Sequence, residues 1–453
     1  MLSPKAQCSL ADAKRYFGEH LAVGEYYMQG QQLRGQWYGK GAADLGLSGV
    51  ANVEQFGRLC DNLHPQTGQR LTMRQKTTRS NVDADGAEHE RANRRVFYDF
   101  TISPPKSVSI AALVGNDRRI VEAHERAVTM ALEQLQSFAS TRVRKDGQCT
   151  DRTTGNIVAA TFRHDTSRAL DPHLHTHCIV FNATYDAVEG RWKALQNHDM
   201  LVAQKFVENV FYHELARSLQ EFGYEVGSRN VGDFQISGIS KELRDLFSKR
   251  HRQIDEKTRE LLACQPEKAD DNIAAIREHI AHKERDRKIP EIGLSRLQAH
   301  WDGQMTLDQR NSLRNLIHAQ PTSREDAKMV AGRAVAWAEE HLFDRRSVVN
   351  EHELWRHALG CARGQNVTLK DIQAVTSKRD YIRDVKHVGK VTTCEHLQRE
   401  WEIPELRTCK KSSDAVSMSL RWRMRSKALS RIAAVQRRWV GPVLSGAIAS
   451  MTS

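Results

Sequence analysis

The sequence predicts an α+β fold: an antiparallel-sheet core with a tyrosine-bearing N-terminal helix, followed by a mostly helical C-terminal part. Three observations predict it. Short apolar runs that alternate with period 2 are interleaved with helical stripes over roughly the first 235 residues. Past Gly238, apolar residues recur almost only at helical spacing. The chain has 453 residues, more than one hydrophobic core usually serves, so two or three domains are expected. The pattern divides it into a core over residues 1–235, a helical extension over 236–320, a further helical segment over 321–405 and an atypical basic tail over 406–453.

In chain order, Tyr16-Phe17 and Tyr26-Tyr27 fall within the expected N-terminal helix. Val96–Ile102 reads as a strand: Val96, Tyr98, Phe100 and Ile102 share one face, while Asp99 and Thr101 point to the other. Ser103-Pro104-Pro105 ends it, because proline cannot donate to a ladder. Arg118 to Ser140 reads as a helix with Ala127, Val128, Ala131, Leu132 and Leu135 on one stripe. Ile157–Phe162 and Leu174–Thr184 read as buried strands. Beyond Gly238, Leu243, Leu246, Phe247 and Ile254 mark a charged amphipathic helix, and further helices are expected at Asp271–Arg287, Thr306–Ala319, Ser323–Leu342 and Val349–Leu359. These charged helices suit a solvated bundle or, alternatively, contacts to a nucleic-acid backbone.

Lys and Arg total 68 against 56 Asp and Glu, a formal charge of +12 that favours a polyanionic partner. Eight cysteines lie far apart without a C-x-x-C pair, which argues against zinc ribbons and redox motifs and fits a reducing cytosol. Neither a signal sequence nor the ~20 apolar residues of a membrane helix is present, so a cytoplasmic protein without membrane insertion is expected.

The strongest chemical signal is His164-Asp165-Thr166-Ser167-Arg168 followed by Asp171-Pro172-His173-Leu174-His175-Thr176-His177. On a strand from Leu174, alternation puts His175 and His177 on one face. With His164 from the preceding strand they can supply three imidazole nitrogens and leave positions open for a substrate oxygen, as a catalytic metal requires. His173 and His175 alternate equally well, so spacing leaves both frames open. A tyrosine hydroxyl, with a pKa near 10, becomes a nucleophile only when its proton is removed or a positive site lies close.

Phosphate-loop chemistry is excluded at the two candidate places. Gly35–Gly41 has three residues between its glycines and Gly41 where Ser or Thr must follow Lys40; Val388-Gly389-Lys390-Val391 fails likewise. His352 and His357 are five apart rather than four, so they do not form a metalloprotease pair.

Six blocks in order resemble the conjugative relaxases of the MobF (TrwC/TraI-type) family. They are Trp37 to Gly49, Tyr98 to Ser109, Ala139 to Arg142, His164 to Arg168, Leu174 to His177, and Gly190 to Leu195. The resemblance implies a palm-like antiparallel sheet and a metal-dependent DNA nicking and rejoining activity at a plasmid transfer origin. It implies His164, His175 and His177 as ligands of a divalent ion (Mg, Mn or Zn), with His173 outside the triad. Tyr16 aligns with the nicking nucleophile that keeps the 5′ end, and Tyr26 with the tyrosine of the terminating strand transfer. Asp99 aligns with an acid that accepts the nucleophile's proton or orients a ligand histidine. Two departures stand out. Phe17 occupies a place that is often a second tyrosine, and the interval to Tyr26 is a couple of residues longer, which leaves Tyr27 as an alternative.

The partners so implied are single-stranded and hairpin DNA at the transfer origin, relaxosome accessory proteins and a type IV secretion coupling protein. The covalent adduct would be translocated to a recipient cell. Ala334 to Val375 resembles the lead-in to that family's helicase, so a truncated or frame-shifted gene lacking the motor is expected, with a basic, poorly ordered tail. Two alternatives remain: a rolling-circle replication initiator, disfavoured because its tyrosine usually follows the histidines, and a helicase-less remnant that only binds origin DNA.

Overall fold

The computed structural model describes residues 1–7, 10, 13–14, 35–73, 78–82, 88–92, 95–167, 169–229, 232–264, 273, 276–277, 280, 293–316, 325–383 and 389–398. Tyr16, Tyr26, Tyr27 and most of the N-terminal helix expected to carry them lie outside the described residues, as do the tail over 406–453 and most of the helix expected at Asp271–Arg287. The chain divides into two compact units, Met1–Thr322 and Ser323–Ser453.

The first unit is organised by a five-stranded sheet of β1 (Leu2–Gln7), β2 (Gln36–Tyr38), β3 (Phe97–Ile102), β4 (Ala159–Thr166) and β5 (Pro172–Phe181). Their order is β1-β3-β5-β4-β2, with every pair antiparallel. Alternation sorts the side chains onto two faces. Tyr98, Phe100 and Ile102 of β3 and Leu174, Thr176, Cys178 and Val180 of β5 form one face, all buried. Helices α1 (Lys106–Leu113), α2 (Arg118–Ser137) and α3 (Gln204–Glu221) supply the buried partners of that side. Ser109 Oγ accepts from Leu174 N at 3.2 Å, and His124 of α2 meets Thr176.

The other face is divided. At one end Phe97, Phe162, Ile179 and Phe181 form a buried cluster with Phe56 and Leu59 of the helix Val53–Cys60, and with Trp37 and Ala13. Phe56 is its hub, with ring centroids 5.0 Å from Phe181 and 6.1 Å from Phe97, both edge-on. At the other end the same face carries Asp99, Thr101, His164, His175 and His177.

The glycines of the rejected loop-like stretch have a packing reason. Gly39 has φ of 105°, and a Cβ there would lie 2.3 Å from the Ile157 carbonyl oxygen. The turn therefore approaches backbone too closely for any side chain.

Several element boundaries differ from the sequence pattern. The helix expected to run to Ser140 stops at Ser137, and Ser140–Lys145 is a strand paired with Gln148–Thr153 and Leu195–Gln196. Its turn residues Asp146 and Gly147 both have positive φ, 51° and 74°, the signature of a tight hairpin. The expected strand Leu174–Thr184 is β5, ending at Phe181, with Thr184–Asp186 paired separately to Arg191–Lys193. The expected strand at Ile157–Phe162 begins at Ala159 and continues to Thr166, which carries His164 into the ladder. The helix expected past Gly238 is two, Lys241–Leu246 and α4 (Lys249–Cys264), and α5 (Leu294–Gln304) follows.

The second unit, expected to be helical, also contains a small sheet. Its elements are α6 (Ala327–Phe343), β6 (Val349–Asn350), α7 (Glu351–Cys361), α8 (Leu369–Thr376), β7 (Ile382–Arg383) and β8 (Lys390–Thr392). Asp326 caps α6, and capping boxes at Asn350/Glu353 and Thr368/Asp371 fix the starts of α7 and α8. No described helix in either unit is long and apolar enough to cross a membrane.

Candidate metal centre

Register, rather than spacing, assembles the histidines. His164 of β4 lies opposite His175 of β5, and Phe162 lies opposite His177. The three ring centroids form a nearly equilateral triangle: 5.2 Å from His164 to His175, 5.1 Å from His164 to His177, and 5.1 Å from His175 to His177. One nitrogen from each lies within 4.8 Å of the others, the only such group among the described residues whose geometry could hold a metal ion. His173 also faces this side of β5, but it stacks behind His175 with centroids 4.6 Å apart and stands outside the group.

Hydrogen bonds assign the ring protons on two members. His175 Nδ1–H donates to the His173 carbonyl at 2.9 Å. His177 Nδ1–H donates to Asp99, 2.8 Å to Oδ2 and 3.1 Å to Oδ1. Nε2 of each ring is left as the lone pair for a cation. Asp99 is buried, and Thr101 Oγ1 donates to its Oδ1 at 3.3 Å, so the carboxylate is fixed behind His177. Burial and the neighbouring His177 hold the pKa of His175 down to about 3, and burial pushes His173 well below the usual histidine value. Imidazoles converging in this way fit a divalent metal ion, and three of them leave coordination positions for substrate.

The β4–β5 turn beside the centre is tied down by distant residues. Asp171 accepts from Lys249 N at 2.8 Å, a carboxylate at the first residue of α4. The indole of Trp301, fully buried on α5, donates to Leu170 O at 2.7 Å. Lys106 Nζ donates to Pro172 O at 3.0 Å; burial lowers its pKa to about 8, with Asp171 opposing. Leu170 has φ of 59°, the left-handed region, within this tightly bonded turn. These holding residues went unrecognised in the sequence. Asp171 and Lys106 lie inside noticed motifs but carry no spacing signal, and Lys249 and Trp301 are far away in the chain.

The candidate tyrosines are outside the described residues, but the chain leading to them is anchored. Ala13 is fully buried in the cluster on the histidine-bearing face, and Lys14 pairs with Asp61 at 2.8 Å. Gln7 ends one edge strand and Gln36 begins the opposite edge strand, so residues 8–35 connect the two edges of the sheet.

A groove elsewhere in this unit is lined by Arg142, Arg144, Lys145, Arg152, Lys193 and Trp192. Arg152 and Lys193 pair with Asp186 and Glu189, whereas Arg144 and Lys145 have no acidic partner among the described residues.

The TrwC relaxase family matches residues 10–307. The multifunctional conjugation protein TraI of Escherichia coli K12 is 33% identical over 334 residues, 69% of this chain and 17% of TraI. A second E. coli TraI is 36% identical over 269 residues, 56% of this chain and 14% of that protein. The chain thus spans under a fifth of the length of these curated relatives. Among solved structures, the metal-bound conjugative relaxase TrwC in complex with OriT DNA has a TM-score of 0.55 at 30% identity, covering 69% of this chain and 98% of that one. TrwC complexed with a 27-mer DNA comprising the recognition hairpin and the cleavage site has a TM-score of 0.53 at 30% identity, covering 67% and 97%.

Proposed function

The chain belongs to the TrwC relaxase family, and from that premise we propose that it is a conjugative relaxase that nicks one strand at a plasmid transfer origin and later rejoins it. The carrying observation is the triangle of His164, His175 and His177 with Asp99 behind His177, on the sheet face where Ala13 is packed. Tyr16 follows Ala13 by three residues, a reach of at most about 11 Å. The assignment of Tyr16 as the nucleophile rests on the resemblance, in which it aligns with the nicking tyrosine.

In the proposed reaction the Tyr16 hydroxyl loses its proton and attacks phosphorus. The Oη–P bond forms, the P–O3′ bond breaks, and the leaving 3′ oxygen takes up a proton. A 5′-phosphotyrosine results. Bond energy is conserved in the adduct, so attack by a 3′ hydroxyl rejoins the strand without ATP. Tyr26, or Tyr27 beside it, would carry the second transfer. The three histidines would hold a divalent ion, whose charge polarises a phosphate oxygen and offsets negative charge in the transition state. Mg, Mn and Zn are the candidates, and a set of three imidazoles favours Zn over Mg. The contact of Asp99 with His177 supports a role in orienting that ring.

The DNA would be single-stranded and hairpin DNA, in keeping with the TrwC complex whose 27-mer comprises the recognition hairpin and the cleavage site, with Arg144 and Lys145 meeting phosphates. Residues 1–235 would form the catalytic core and 236–320 the extension over the strand. Relaxosome accessory proteins and a secretion coupling protein would be partners in a bacterial cytoplasm. Cleavage of labelled single strands from the DNA beside the gene tests this. Metal-dependent cuts at one position, leaving a 3′ hydroxyl, are expected. Binding without cutting at any position would overturn it in favour of an origin-binding protein.

A further inference from the structure

We propose that the second unit is a winged helix-turn-helix that binds duplex DNA through the exposed face of α8. The family match ends at residue 307 and assigns nothing to this unit. Its path runs α6, β6, α7, α8, β7, β8, and its sheet is ordered β6-β8-β7 with both pairs antiparallel. Three helices whose last two form the helix-turn-helix, with the first strand paired to the last and the last to the middle one, make up the winged-helix topology. In such motifs the second helix of the pair enters the major groove.

Topology alone does not make a site, but the surface of α8 has the required chemistry. Leu369, Ile372 and Thr376 are buried, and the Trp355 indole of α7 donates to Thr376 Oγ1 at 3.1 Å. The opposite stripe is exposed: Lys370, Ala374, Ser377 and Lys378, spaced i, i+4, i+7 and i+8 across the helix and its C-cap. Gln373 lies half-buried beside it. Lys370 and Lys378 have no acidic partner among the described residues. Ala374 between them keeps the surface low, so that backbone can approach a groove edge. Asp371, the acid of α8, is turned back to the helix start, where its Oδ2 accepts from Thr368 N at 2.8 Å and from Thr368 Oγ1 at 2.6 Å. Arg379 and Arg383 beyond the helix are held by Glu339 and Glu351, each at 3.0 Å, which fixes its exit instead of offering charge.

The occupant follows from what this stripe contains. Two separated cations, with the Ser377 hydroxyl between them donating to Ala374 O at 3.0 Å and keeping its oxygen lone pairs to accept, suit phosphates flanking base edges. Single-strand readers stack bases on aromatic rings, and the stripe has none. Protein partners favour an apolar or aromatic centre, which is also missing.

The test uses the full chain and a labelled duplex, with anisotropy titrations over a range of salt. Lys370→Glu/Lys378→Glu should weaken duplex binding about tenfold or more and make the slope of log K against log salt shallower by about 2. Cleavage of single strands should be unchanged, which separates this outcome from failure of the histidine centre. Lys370→Gln/Lys378→Gln, which only removes charge, should give the same change in slope if the reversal variant misfolds. Unchanged duplex affinity and slope in both variants would overturn the proposal. So would an equal loss on unstructured single strands, which would make α8 a single-strand contact.

Discussion

On β5, Thr176 lies between His175 and His177 but points to the other side of the sheet, where it meets His124 of α2 at 2.9 Å. The two sides treat histidine differently. His124 and His175 are both buried, and burial holds both pKa values near 3. His124 stands edge-on to Phe211 with centroids 5.4 Å apart, among helices, and its hydrogen bond to Thr176 fastens α2 to the sheet. His175 faces two more imidazoles, and a carboxylate is aimed at one of them. Neutrality comes with burial on either face, but a candidate ligand set comes only where rings converge.

The largest effect that sharpens this contrast is His175→Ala, expected to abolish metal-dependent cleavage and metal binding while the chain stays folded. Normal cleavage by that variant would erase the distinction. Asp99→Asn comes next. It removes the charge behind His177 and should weaken metal affinity about ten- to a hundredfold, measured by calorimetry.

On the helical face, His124→Leu should leave cleavage intact and cost about 1–3 kcal/mol of stability through the lost hydrogen bond. It should also change the acid limb of stability. The folded pKa of His124, about 3, lies below its unfolded value of 6.5, so its neutral form is matched in both states above about pH 6.5. As pH falls from there toward 3, protons bind the unfolded chain first and stability is lost, by up to about 1.4 kcal/mol per pH unit for one such group. Urea melts in chelator at two pH values should show a shallower limb in His124→Leu, and an identical limb would mean that His124 does not contribute it. The smallest effect is expected from His173→Ala, with nearly normal cleavage. A dead variant would place His173 in the ligand set.

Much of the site was legible because strand alternation is a local property. β3 with Asp99 and Thr101 turned away from its apolar face, and β5 with its alternating histidines, were read from a few residues each. Which of the histidines converge was not legible from spacing, since His173, His175 and His177 all share one side. It depends on the partner strand, where His164 meets His175. The turn anchors Lys249 and Trp301 were hidden for the same reason, as their contacts join residues far apart in the chain. The strand at Ser140 was absorbed into the preceding helix because Ala139 continues its stripe, although Asp146-Gly147 marks a hairpin. The sheet of the second unit has strands of two or three residues, too short to show a period.

The most direct test of the central claim incubates the protein with a divalent metal and labelled single strands from the DNA beside its gene, and then denatures the mixture. A labelled protein band in wild type, absent in Tyr16→Phe, is the predicted result. An adduct of equal yield in Tyr16→Phe would contradict the account of the nucleophile. Specific cleavage by wild type without any adduct would contradict the transesterification itself.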